Sequence, residues 1–333
     1  VSPMFTHLSD QFRKSLLNLF KACIFAGFFF VTGCQTTPQS ELLRQQKPLG
    51  ISDVKQITDV PFYRQQQYYC GPTTLAEIFN YHGVNVSAED IAPKLFIPAK
   101  EGSLQLEMVS ATRQYDFLPY AERGTLNQLL KLVDDDIPVI VFQNLSIQLW
   151  PQWHYAVVIG YDLINGMIRL HTGVTPNHGM SFELFEKTWA RGNYWLLAPL
   201  PVGKTSKHLD PFNYTRTAYD MLSLGRQSAL QFLQTATEQW PEQWLAYFLL
   251  ANHYLESQPE LAITWFKKGY AVGQFQSAYL NNYAHLLAQQ GCLQQAAEII
   301  EIASKKFPDN EEISQTRSKI ISSDTIAQCV HSN

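Results

Sequence analysis

Five cysteines in 333 residues are too few for a disulfide framework, so the fold must rest on apolar cores. Charge is scarce as well. Lys and Arg number 25 against 29 Asp and Glu, a formal net charge of −4 with no long like-charge run, which gives no electrostatic reason to expect a nucleic-acid partner. Long apolar runs are also lacking: the stretch ACIFAGFFFVTG falls short of the roughly 20 residues that a helix needs to span a bilayer. No phosphate-binding or dinucleotide fingerprint occurs, and His82, His178 and His208 show no metal-ligand spacing, so neither cofactor nor metal is expected. Asp134, Asp135 and Asp136 close a helical pattern before an apolar run and read as a solvated turn. What is present is 46% hydrophobic residues, enough for two domains with a core each.

At the N-terminus Arg13, Lys14 and Lys21 flank the apolar stretch, Cys34 follows it, and the chain turns polar as QTTPQSELLRQQ, the architecture of a secretory signal. An anchor helix from Leu16 through Val31 is the alternative. Val31-Thr32-Gly33-Cys34 resembles the processing signal of bacterial lipoproteins. That resemblance implies a signal peptide over 1–33, a diacylglycerol on Cys34 and an extracytoplasmic location for the rest. Gln35, in place of an aspartate, points to the outer membrane, facing the periplasm, of a Gram-negative envelope. Cys70, Cys292 and Cys329 then remain. Cys292 and Cys329 are candidates to pair, which leaves Cys70 as a free thiol in an oxidising compartment.

Residues 34–56 are polar and without clear periodicity, and read as a tether. Val60-Pro61-Phe62-Tyr63 reads as a short strand, and CGPTTLAEIFNYHG as a helix ending at Gly83. SLQLEMVSATRQY and TLNQLLKLVDDD supply two more helices. IPVIVFQNL, HYAVVIGYDLI, MIRLHTG and NYWLLAPL read as strands, the second and third joined at Asn165-Gly166, a strong hairpin signal. Helices before antiparallel strands predict an α+β domain over 57–202.

From 210 to 320 the pattern is helical and repeats. Ala262, Phe266 and Gly269 match Ala296, Ile300 and Ala303 at a displacement of 34, and Ala251 and Tyr254 match Ala284 and Leu287 at 33. Ala229, Leu233 and Pro241 mark a weaker copy. With Gly291 in a turn and Pro308 after a helix, this region resembles the tetratricopeptide repeat. The resemblance implies an all-α domain that offers a groove to a protein partner.

Cys70 opens the first of these helices, with Pro72 in its first turn, where the missing N–H costs nothing. Free N–H groups and the macrodipole there are expected to lower the thiol pKa. His154 opens an apolar strand, a position facing a cleft, and is the candidate base. Gln65, Gln66 and Gln67 lie just upstream of Cys70, where a side-chain amide can donate to an oxyanion beside the Cys70 N–H.

VPFYRQQQYYCGPTTLAEIF and WHYAVVIGYD resemble the bacteriocin-processing, double-glycine-leader cysteine peptidases, a branch of the papain-like fold. They are most similar to lipoprotein-borne members with tetratricopeptide repeats. The resemblance implies a papain-like α+β cysteine peptidase domain followed by an all-α repeat domain. Its nucleophile falls on Cys70, its base on His154 and its oxyanion glutamine on Gln65, with Gln66 one residue away. The family's Asp or Asn that orients the histidine is replaced: RLHTG places Thr172 nearest, beside His171. Asp162 lies too far down the strand, while Asn177 is symmetric with His154 about the Asn165-Gly166 turn. The expected activity is peptide hydrolysis on a peptide or protein substrate; the alternative is an inactive, peptide-binding adaptor.

Overall fold

The structure, a computed structural model, describes residues 36–95, 102–147 and 149–322. The signal peptide, Cys34 and Cys329 lie outside the described residues. Seven antiparallel strands form one sheet: β1 (Val54–Gln56), β2 (Leu118–Arg123), β3 (Val139–Asn144), β4 (Trp153–Asp162), β5 (Met167–Thr172), β6 (Thr175–Ser181) and β7 (Trp195–Leu200). Their order is β2-β7-β3-β4-β5-β6, and β1 pairs with the far end of β4. From Tyr155 onward every residue of β4 is buried, because helices cover both faces of this central strand. Those helices include α2 (Cys70–Tyr81) and α5 (Leu126–Asp134). The other helices here are α1 (Pro38–Gln45), α3 (Ala88–Leu95), α4 (Gln105–Gln114) and α6 (Phe182–Arg191). This is a papain-like α+β domain.

The segment expected to be a tether is folded onto this domain. At the start of α1 the Gln39 and Ser40 N–H groups and the Ser40 hydroxyl all donate to the buried Glu186 carboxylate of α6, at 3.0, 2.7 and 2.6 Å. Glu186 thus acts as a helix cap supplied from elsewhere in the chain, which no local pattern in 34–56 encodes. Residues 60–63 form no strand; Pro61 cannot donate, and the Val60 carbonyl is taken by His171 Nε2 at 3.1 Å. The aspartates that close α5 form a partly exposed turn, as expected, and they also fasten neighbouring segments. Asp134 accepts from Tyr161 and Ser52, Asp135 from Ser206, and Asp136 pairs with Lys55.

Seven helices follow: α7 (Pro211–Ser223), α8 (Ser228–Gln239), α9 (Trp244–Tyr254), α10 (Pro259–Gly273), α11 (Ser277–Gln289), α12 (Leu293–Lys306) and α13 (Glu311–Ile321). They form three helical hairpins and a closing helix. The repeat residues Ala262, Phe266, Ala296, Ile300 and Ala303 are all buried, as are Ala229 and Leu233. Gly269 is small of necessity, since a Cβ there would lie 2.5 Å from Tyr247 Cβ and 2.7 Å from the Tyr279 hydroxyl. α7 packs on β2, where the Tyr120 hydroxyl accepts from the Asp210 N–H at 2.8 Å. Cys292 is disulfide-bonded; Cys70 is the free cysteine among the described residues.

Candidate active site

α2 starts at Cys70 after a tight turn in which Tyr68 takes a left-handed φ of 66°, and no side chain caps it. Gly71 lets the next segment approach, because a Cβ there would lie 2.5 Å from Ser103 Oγ. The backbone N–H groups of Tyr155, Gly71 and Cys70 itself reach the Cys70 sulfur. Tyr155 is the residue after His154, so this contact brings the thiol against the strand that carries the imidazole. Cys70 and His154 line one cleft of about 750 Å³, together with Gln65, Ser103, Phe142 and Trp153.

His154 sits opposite Gln143 at the mouth of β4, and its Nε2 lies 2.8 Å from the Thr172 hydroxyl. That leaves Nδ1 as the ring nitrogen free for the cleft. Thr172 reaches the ring diagonally. A bulge at Ile159 shifts the β4–β5 register so that Val157 faces His171, which sets Thr172 across from the small Ala156, two residues beyond His154 on the same face. The symmetry that would bring Asn177 to His154 is lost because Asp162 pairs with Met167, so the hairpin loop spans 163–166 and is not a two-residue turn at Asn165-Gly166, and because the chain turns at Gly173 into β6. Asn177 instead donates its N–H to His171 Nδ1 at 3.3 Å and accepts from Gln56 at 2.9 Å. His171 is a buried brace between Val60 and β6, and Asp162 holds the Asn165 turn.

All three glutamines line the cleft, and their contacts differ. Gln66 donates its amide to Glu89 at 3.3 Å, whereas the Gln65 amide nitrogen is buried without a partner and its residue lines the cleft. The Gln65 backbone N–H is anchored on the Gly173 carbonyl at 2.9 Å. A buried donor lacking an acceptor costs stability unless something arrives to accept from it.

Burial sets the protonation of the pair. It lowers the His154 pKa from 6.5 to about 4, and it pushes the Cys70 thiol above its ordinary value, outweighing the three backbone donors that favour the thiolate. The lowered thiol pKa expected from the helix start is therefore corrected: desolvation at the foot of the cleft exceeds the pull of the helix terminus. Three further features had no signal in the sequence. Tyr155 contributes its N–H through strand register; Ser103 leaves its hydroxyl unpartnered in the cleft wall. Glu77, one turn and more along α2, is buried with one oxygen on the Tyr63 N–H at 3.0 Å and the other unpartnered, and its pKa rises to about 8.

Residues 57–193 match the family model described as Peptidase_C39 like family, so this part of the chain is a domain of peptidase-like fold. Solved structures similar to the chain include one described as a C39-like peptidase from Bacillus anthracis, at 16% identity over 46% of this chain and 100% of that one, with a TM-score of 0.38. Another is the peptidase domain of Streptococcus ComA, a bi-functional ABC transporter involved in a quorum-sensing pathway, at 22% identity over 42% and 98%, with a TM-score of 0.35. A third is the first TPR of Spaghetti (RPAP3) bound to the HSP90 peptide SRMEEVD, at 13% identity over 33% and 90%, with a TM-score of 0.31. No curated protein matches the chain.

Proposed function

We propose that the chain is a lipid-anchored, extracytoplasmic cysteine peptidase of the bacterial envelope, acting on a peptide or protein substrate through Cys70 and His154. The observation that carries this reading is the unpartnered amide of Gln65, buried in the cleft that Cys70 and His154 line. A carbonyl oxygen arriving between Gln65 and the Cys70 N–H finds two donors, and they matter most when that oxygen becomes an anion.

With both groups neutral at rest, His154 Nδ1 takes the thiol proton as Sγ attacks the carbonyl carbon. The tetrahedral oxyanion collapses, the C–N bond breaks, and the imidazolium returns its proton to the leaving amine. A thioester remains on Cys70. Water, deprotonated by the same ring, then releases a carboxylic acid and restores the thiol. Thr172 holds the ring in the tautomer and orientation this needs. Cys34 carries the lipid, in the outer membrane facing the periplasm, and the helical repeats receive a protein partner or part of the substrate.

A second reading, a peptide-binding adaptor, is favoured by one observation: a threonine stands where a carboxylate or amide would stabilise the imidazolium more strongly. Acid quenching of the protein with a mixed peptide library, followed by peptide mapping, separates the two. The peptidase reading expects cleaved peptides and a thioester on Cys70 that is absent from Cys70→Ala. Bound but uncut peptides with an unmodified Cys70 would establish the adaptor instead. Lipidation is tested apart from this, by the mass of the Cys34 peptide from the membrane fraction.

A further inference from the structure

The loop joining β3 to β4 reads NLSIQLWPQW from Asn144 to Trp153, without one charged residue. Its large apolar side chains point outward: Ile147 is 54% exposed, Leu149 80% and Trp150 73%, with Leu145 and Trp153 exposed as well. The base of the loop is braced. Asn144 Oδ1 accepts from the Ser146 and Gln152 N–H groups at 3.0 and 2.9 Å, and Leu145 N–H donates to the Gln152 carbonyl at 2.9 Å. Arg191, at the end of α6, donates to the Asn144 and Ser146 carbonyls at 3.3 and 2.7 Å. Trp153 at its base stacks on Phe142 at 4.9 Å, and both line the cleft. An uncharged, outward-facing apolar tip next to a binding cleft calls for a nonaqueous neighbour.

Chain direction says where that neighbour lies. Ser40 bonds Glu186 and Arg44 bonds Glu183, so α1 runs antiparallel to α6 and its N-terminus points toward the Arg191 end. Arg191 lies five residues past Glu186, about 7.5 Å at helical rise. Cys34 is six residues before Ser40, within about 20 Å even if fully extended. The start of α1, from which the chain departs toward Cys34, therefore lies at the end of the domain that displays the loop.

We propose that the β3–β4 loop is a membrane-inserting wedge: Leu145, Ile147, Leu149 and Trp150 enter a lipid surface and set the mouth of the cleft on it. Trp and Leu on a loop that carries no charge of its own, braced by the Arg191 guanidinium, suit the headgroup boundary. The direction of the membrane rests on the proposed lipid at Cys34, and the test removes that lipid so that the two ideas fail separately. The full chain carrying Cys34→Ala is mixed with vesicles of phosphatidylethanolamine and phosphatidylglycerol and sedimented. We expect measurable partition, cut at least about tenfold by Leu149→Glu with Trp150→Glu, and unchanged by Leu224→Glu, an exposed apolar site on the repeats. Brominated lipids should quench the protein's fluorescence less in Trp150→Phe than in its parent. Partition that is absent, or equal in the loop variant and the parent, overturns the proposal. So does a loop variant that leaves partition intact and slows acylation of Cys70, because the loop would then be a substrate surface.

Discussion

Burial acts on Cys70 and His154 in opposite directions, raising the thiol and lowering the imidazole to about 4, so that in the resting site neither carries charge. The sign of the pH dependence follows. The base works when unprotonated, so peptide cleavage should persist as pH falls past 6.5 and disappear only through about 4, in a rate profile on one substrate. An acid limb near 6.5 would show that His154 is solvated or is not the base. Thr172→Val keeps the shape and removes the hydroxyl that holds Nε2; cleavage should fall about 10- to 100-fold in kcat with little change in Tm. Gln65 and Thr172 were marked in the sequence by the resemblance to the double-glycine-leader peptidases, and the structure sets Gln65 in the cleft wall and the Thr172 hydroxyl beside His154. Which glutamine amide is left without a partner, and the failure of Asn177 to reach His154, depend on the Glu89 contact and on the four-residue loop 163–166, and neither leaves a mark in local sequence.

Elements with a one-face apolar period, such as α2, α5 and the run of β3, could be read directly, whereas elements stabilised by distant partners could not. α1 is polar on its own and becomes a helix because Glu186 meets its first turn, so Glu186→Ala should free it. Hydrogen exchange should then rise over residues 38–45 by the loss of about 2–4 kcal/mol of protection while β3 and β4 stay protected. Unchanged exchange there would mean that α1 docks by other contacts. β6 escaped notice because polar TPNHGMS lacks strand alternation on a half-exposed edge. α2 carries a pH-dependent load in Glu77. Its folded pKa of about 8 lies above the ordinary 4.5, so folding favours the protonated form. Stability is therefore undiminished below about 4.5 and declines as pH rises through 8, by roughly 5 kcal/mol in full. Glu77→Gln should flatten the Tm profile between pH 5 and 8; a parallel decline in the variant would assign it to another group.

At the scale of the whole molecule, a papain-like domain is joined to helical repeats through α7 on β2 and through Asp135, which accepts from Ser206 and, by its carbonyl, from Lys204. The repeat was legible because a 34-residue period places small residues wherever two helices cross, at Ala262 and Ala296, and these are buried as that logic requires. The joint between the domains was not, since both the packing of α7 on β2 and the polar contacts of Asp135 link segments far apart in the sequence. The central claim is that this assembly cuts polypeptides with Cys70. Mapping of protein N-termini in envelopes from cells bearing the natural chain or Cys70→Ala tests it most directly. The account predicts a set of N-termini that vanish in Cys70→Ala while their uncut precursors accumulate; identical sets of N-termini from both strains would contradict it.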